Sequence, residues 1–101
     1  MKAVIVEKFG PLSTAMYTDS ADPIPGPGEV VIDVHAAEAN FPDILVMEGN
    51  YQIKPPLPFS PGKAGAGVVS AVGDGVKDLQ VGDHVGVQVE YGTYAEKLKL
   101  P

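Results

Sequence analysis

The sequence has neither cysteine nor tryptophan, and all seven of its basic residues are lysine, so arginine is missing too. Without cysteine there is no disulfide framework, no thiolate nucleophile and no Cys-based zinc site. Thirteen acidic side chains outweigh the lysines and leave a net charge of −6 over 101 residues. The basic footprint of a nucleic-acid binder is therefore absent. No apolar run approaches the roughly 20 residues of a membrane span. The N-terminus also lacks the layout of a signal peptide. What remains is expected to be a soluble, cytoplasmic chain of one domain's length. With 45% hydrophobic residues it can bury a core, and a domain near this size buries roughly two thirds of its unfolded surface.

Strand patterns dominate what is there. Residues 2–8 are β-branched at their centre (Val4, Ile5, Val6) and stop at Gly10-Pro11. Residues 29–36 alternate, with Val30, Ile32, Val34 and Ala36 on one face and Glu29, Asp33 and His35 on the other, the period of a half-buried strand. Residues 84–90 repeat that pattern, and residues 67–73 and 93–100 read as further strands. Short strands separated by turn residues point to a barrel or sandwich. Two proline-rich stretches, residues 23–28 and 54–62, are stiff extended connections, because proline lacks the amide donor and restricts its predecessor. One segment differs. Asn40 is a good N-cap, Pro42 fits a first turn, Asp43 favours the positive end of a helix dipole and Gly49 is a C-cap residue, which predicts a helix of about two turns.

Among candidate sites, Gly65-Ala66-Gly67 and Gly73-Asp74-Gly75 each begin a G-x-G. Neither has the third glycine or the following helix that would hold a pyrophosphate. His35 and His84 are the only imidazoles, about fifty residues apart with no ligand spacing behind them, so no metal site is predicted. Asn40 and Asp43, three apart, share a helix face, and Tyr51 follows the helix. An amide, a carboxylate and a phenol at one junction could position a carbonyl substrate and shuttle a proton. The same three residues also serve without chemistry, as an N-cap, a dipole partner and a packing aromatic.

Several segments occur in a telling order. Met1-Lys2-Ala3-Val4 opens the chain, Pro25-Gly26-Pro27-Gly28-Glu29-Val30 leads into a strand, and Ala39-Asn40-Phe41-Pro42-Asp43 forms the junction. Tyr51 with residues 54–59, then Pro61-Gly62, Gly65-Ala66-Gly67-Val68-Val69 and Val81-Gly82-Asp83-His84-Val85 complete the set. Across residues 1–101 this order resembles the N-terminal catalytic domain of zinc-independent quinone oxidoreductases in the medium-chain dehydrogenase/reductase superfamily. The resemblance implies a mainly β, GroES-like, partly open barrel with one or two short helices. It also implies a cleft shared with a Rossmann domain that this chain does not include, where NADPH or NADH passes hydride to a quinone, an enone or a similar conjugated carbonyl. Catalytic roles fall on Asn40, Asp43 and Tyr51, and cofactor contacts on Asn40, Phe41 and Tyr51. Asn40 stands where zinc-dependent relatives have a cysteine ligand, and Lys63-Ala64 stand where they have His-Glu, so no zinc is implied. Ala64 also departs from the glutamate that quinone reductases commonly keep. The expected partners are the small-molecule acceptor, the Rossmann domain and a homo-oligomer, with no nucleic acid and no membrane. Alone, the chain is expected to be inactive. The alternative is a non-enzymatic GroES-like module, either co-chaperonin-like or an interaction domain with Phe41, Leu57, Phe59 and Tyr94 as an apolar patch.

Overall fold

β-branched and alternating segments pair into two antiparallel sheets in a computed structural model that describes residues 1–52 and 54–101. The smaller sheet joins β1 (Lys2–Val6) to β2 (Ala15–Asp19), with Lys2 opposite Asp19 and Val6 opposite Ala15. The larger contains β3 (Val30–Glu38), β4 (Ala64–Val72), β5 (His84–Gln88) and β6 (Lys97–Leu100) in the order β5-β4-β3-β6. Helix α1 (Phe41–Glu48) lies between β3 and β4, and a short 3-10 turn (Leu12–Thr14) precedes β2.

The free edge of β1 closes the structure part-way. Val6 and Phe59 exchange backbone hydrogen bonds of 2.8 and 3.0 Å, and the Val4 N–H donates to the Tyr94 carbonyl at 2.8 Å. Glu96, just before β6, donates its N–H to the Lys2 carbonyl at 3.0 Å and accepts the Val34 N–H at 2.8 Å. These bonds fasten the small sheet onto the large one and leave a partly open barrel, as the resemblance implied. Among the described residues no helix is long and apolar enough to cross a membrane.

Apolar side chains collect in two cores. Val30, Ile32, Val69, Val87 and Leu98 fill the space under the large sheet. Val6, Val46, Met47 and Phe59 fill the space between β1 and α1, with Phe9, Tyr51 and Tyr94 packed around them. Phe59 is only 4% exposed, so it is core and does not join Phe41 and Leu57 in a surface patch.

Two elements differ from the sequence reading. β2 carries no alternation of its own and becomes a strand by pairing with β1. β3 does alternate, but register shifts at Val31/Ile32 and Val34/Ala36 bury Val31 and expose Ala36. A bulge of this kind turns a neighbouring residue to the other face.

Candidate functional site

Antiparallel pairing dictates which loops meet. Glu38 at the end of β3 lies opposite Ala64 at the start of β4, and Ala64 lies opposite Gln88 at the end of β5. The ladder is prolonged by the Val89 N–H, which donates to the Lys63 carbonyl at 2.7 Å. The backbone leaving β3 (Asn40, Phe41), entering β4 (Lys63) and leaving β5 (Glu90, Tyr91) therefore gathers at one end of the large sheet.

Helix α1 starts there. Asn40 is its N-cap in extended geometry, Pro42 sits in the first turn, and Gly49 closes it in the left-handed region at φ +78°. The Asp43 carboxylate accepts the Asn40 backbone N–H on Oδ2 at 2.9 Å, satisfying one of the unpaired donors of a helix start. The same oxygen accepts the Tyr94 hydroxyl at 2.8 Å. Asp43 is 1% exposed, and its Oδ1 is buried without a partner. Burial is the main cause that pushes the Tyr94 phenol up to about 12, with the Asp43 hydrogen bond and charge adding to it. Tyr94 thus keeps its proton and its bond to Asp43 at any neutral pH.

The sequence grouped Asn40, Asp43 and Tyr51, and the structure joins the first two directly. Tyr51 makes no hydrogen bond to either. It packs with Val46 and Met47 in the second core and carries the Lys63 ammonium 4.4 Å above its ring centre. That ammonium donates to the Glu90 carbonyl oxygen at 3.1 Å and to Glu90 Oε2 at 3.3 Å. Phe41 stands 69% exposed beside the N-cap, and Tyr91 meets the Phe59 ring edge-on at 6.0 Å.

The sequence reading gave Tyr94, Lys63 and Glu90 no part in the chemistry, because all three reach the site through pairing across the fold. Lys63 stood out in the sequence only through the resemblance, which sets it where zinc-dependent relatives have histidine. Gly62 holds this corner tight: its φ is +106°, and a Cβ there would meet Thr93 Oγ1 at 2.2 Å. His35 and His84, far apart in sequence, line one shallow depression of about 400 Å³ over Ala66–Val68. Among the described residues no group of three or more metal-ligating side chains occurs.

With this geometry, residues 26–99 match the alcohol dehydrogenase GroES-like domain. The chain belongs to that family. The GroES-like domain is 44% identical over 82 residues to the human synaptic vesicle membrane protein VAT-1 homolog, covering 81% of this chain and 21% of that protein. It is 42% identical over 98 residues to the quinone oxidoreductase of Sus scrofa, covering 95% of this chain and 30% of that enzyme. It superposes on the Escherichia coli quinone oxidoreductase, solved in complex with NADPH, with TM-score 0.89 and 29% identity over 99% of this chain and 31% of that one. The chain thus spans between about a fifth and a third of the relatives it matches. Those relatives include oxidoreductases of the medium-chain dehydrogenase/reductase superfamily.

Proposed function

We propose that this domain is the acceptor-binding half of an NAD(P)H-dependent reductase that transfers hydride to a quinone or a conjugated carbonyl. The observation that carries the proposal is the convergence of Asn40, Phe41, Lys63 and Glu90 at one end of the sheet, with Tyr51 under the lysine. An amide, an exposed ring face and a phenol there suit a planar nicotinamide and a planar carbonyl acceptor.

The residues fit one end of the cofactor only. Asn40 and Phe41 would hold the nicotinamide, the amide facing its carboxamide and the ring covering one face. Among the described residues the diphosphate finds no glycine-rich cradle, because the N-terminus of α1 already carries the Asp43 carboxylate, which would repel it, and Gly65-Ala66-Gly67 lies inside β4. A Rossmann domain must supply that cradle, and the preference between NADPH and NADH lies there too. When bound, the cofactor supplies the hydride.

This chain's residues bind and orient. Tyr51 donates a hydrogen bond to the acceptor oxygen, and Phe41 shields the transfer from water. Asp43, buried and doubly bonded on Oδ2, acts as a positioning residue: it fixes the N-cap backbone of Asn40 and the ring of Tyr94. Positioning of this kind is the main thing a protein adds to a hydride transfer. The reaction is metal-free in this proposal, which follows the resemblance in setting Asn40 and Lys63 where zinc-dependent relatives have ligands.

The test is NADPH oxidation coupled to 1,4-naphthoquinone, with the domain joined to its nicotinamide-binding half. Asn40→Ala and Tyr51→Phe are each expected to lower kcat/KM by about tenfold or more. Quinone-dependent turnover unaffected by either substitution would contradict the assignment.

A further inference from the structure

Lys63 stands at the acceptor end with no part so far in the transfer. Its side chain is 17% exposed, and the Tyr51 ring supports the ammonium from one side at 4.4 Å. Both hydrogen-bond partners belong to Glu90, and they hold it unequally. The carbonyl oxygen, at 3.1 Å, is part of the backbone. The carboxylate is 63% exposed, and its 3.3 Å separation exceeds the roughly 2.7–2.9 Å of a well-made charge-assisted bond. Water competes for an exposed pair of this kind, which therefore separates easily.

We infer that the acceptor's carbonyl oxygen replaces the Glu90 carboxylate at the Lys63 ammonium, making Lys63 the fixed positive charge of the acceptor site. The inference rests on the hydride-transfer proposal and adds to it the group that receives the developing charge. A C–H bond of the dihydronicotinamide breaks and its hydride, two electrons with one hydrogen, forms a new C–H bond at a carbon of the acceptor's conjugated carbonyl system, so the nicotinamide is oxidised and the acceptor reduced. The carbonyl π pair moves onto oxygen, the oxyanion forms against the ammonium, and a proton from water completes the two-electron reduction. A cation already in place favours that oxyanion over the neutral carbonyl, which is the condition for raising kcat. The backbone carbonyl of Glu90 and the Tyr51 ring keep the ammonium in position when the carboxylate leaves. The chemical class selected is an acceptor whose oxygen gains negative charge, a quinone or an enone.

Two substitutions at one ion pair are expected to act in opposite directions, which a purely structural pair would not produce. In the domain joined to its nicotinamide-binding half, with NADPH and 1,4-naphthoquinone, Lys63→Met lowers kcat by about a hundredfold with KM changed far less. Lys63→Arg, which keeps the charge, recovers part of the loss. Glu90→Gln removes the competing charge and lowers KM by about threefold. Unchanged kcat in Lys63→Met, or a raised KM in Glu90→Gln, overturns the inference while the hydride-transfer proposal stands. A wild-type protein that reduces no quinone overturns both. If Lys63→Met does not fold, the opposite shifts of Lys63→Arg and Glu90→Gln decide the matter.

Discussion

Asp43 bears most of the local order at the site through a single oxygen. Oδ2 receives the Asn40 N–H and the Tyr94 hydroxyl, while Oδ1 is buried and unpartnered. Removing a partner from a buried charge costs more than an average hydrogen bond contributes. Tyr94→Phe is therefore expected to destabilise the domain by about 1–2 kcal/mol, a fall in Tm of about 4–8 °C per kcal/mol, read by thermal denaturation. The same variant changes the alkaline limb. Tyr94 holds its proton up to about pH 12, against 10 for an ordinary phenol. Between those values the unfolded chain loses the proton and the native chain keeps it. Stability is thus whole below pH 10 and declines as pH rises towards 12, and Tyr94→Phe should flatten that part of the decline. The Asn40–Asp43 contact was legible in the sequence because capping is local. Its third member was not, because Tyr94 lies 51 residues from Asp43 and comes alongside only when the segment before β6 crosses β1.

Among the elements, the close approach of β3 to β4 explains glycines that imitate a nucleotide motif. A Cβ on Gly67 would sit 2.0 Å from the Asp33 carbonyl oxygen, and one on Gly65 would sit 2.6 Å from that of Ala36. Gly86 on β5 has nothing within 4 Å. Gly67→Ala should cost about 2–4 kcal/mol in a denaturant titration, whereas Gly86→Ala should be neutral or slightly stabilising. Equal effects would mean that the two strands do not approach in this way. Helix α1 was readable from its caps, and β1, β3, β4 and β5 from β-branched runs or alternation. β2 was not, since Met16 and Tyr17 are both exposed and only the β1 partner makes the segment extended. The bulges in β3 were equally hidden, because period-two alternation carries no sign of the residue that breaks it.

For the whole molecule, the proposed function makes the partly open barrel one wall of a cleft. The family was legible from the order of its turns, but the proposed acceptor site was not, because it draws on residues that three strand ends bring together. Because the start of α1 carries the Asp43 carboxylate, which disfavours a diphosphate there, the isolated domain is expected to bind NADPH only weakly. A calorimetric titration giving a micromolar or tighter constant, about −8 kcal/mol or beyond, would count against a second cofactor domain. The most direct test of the site itself is a titration of the isotopically labelled domain with 1,4-naphthoquinone, followed by NMR shifts of the backbone amides. Shifts concentrated at Asn40, Phe41, Tyr51, Lys63 and Glu90 are the expected result. Shifts confined to the His35–His84 depression, with that end of the sheet silent, would contradict it.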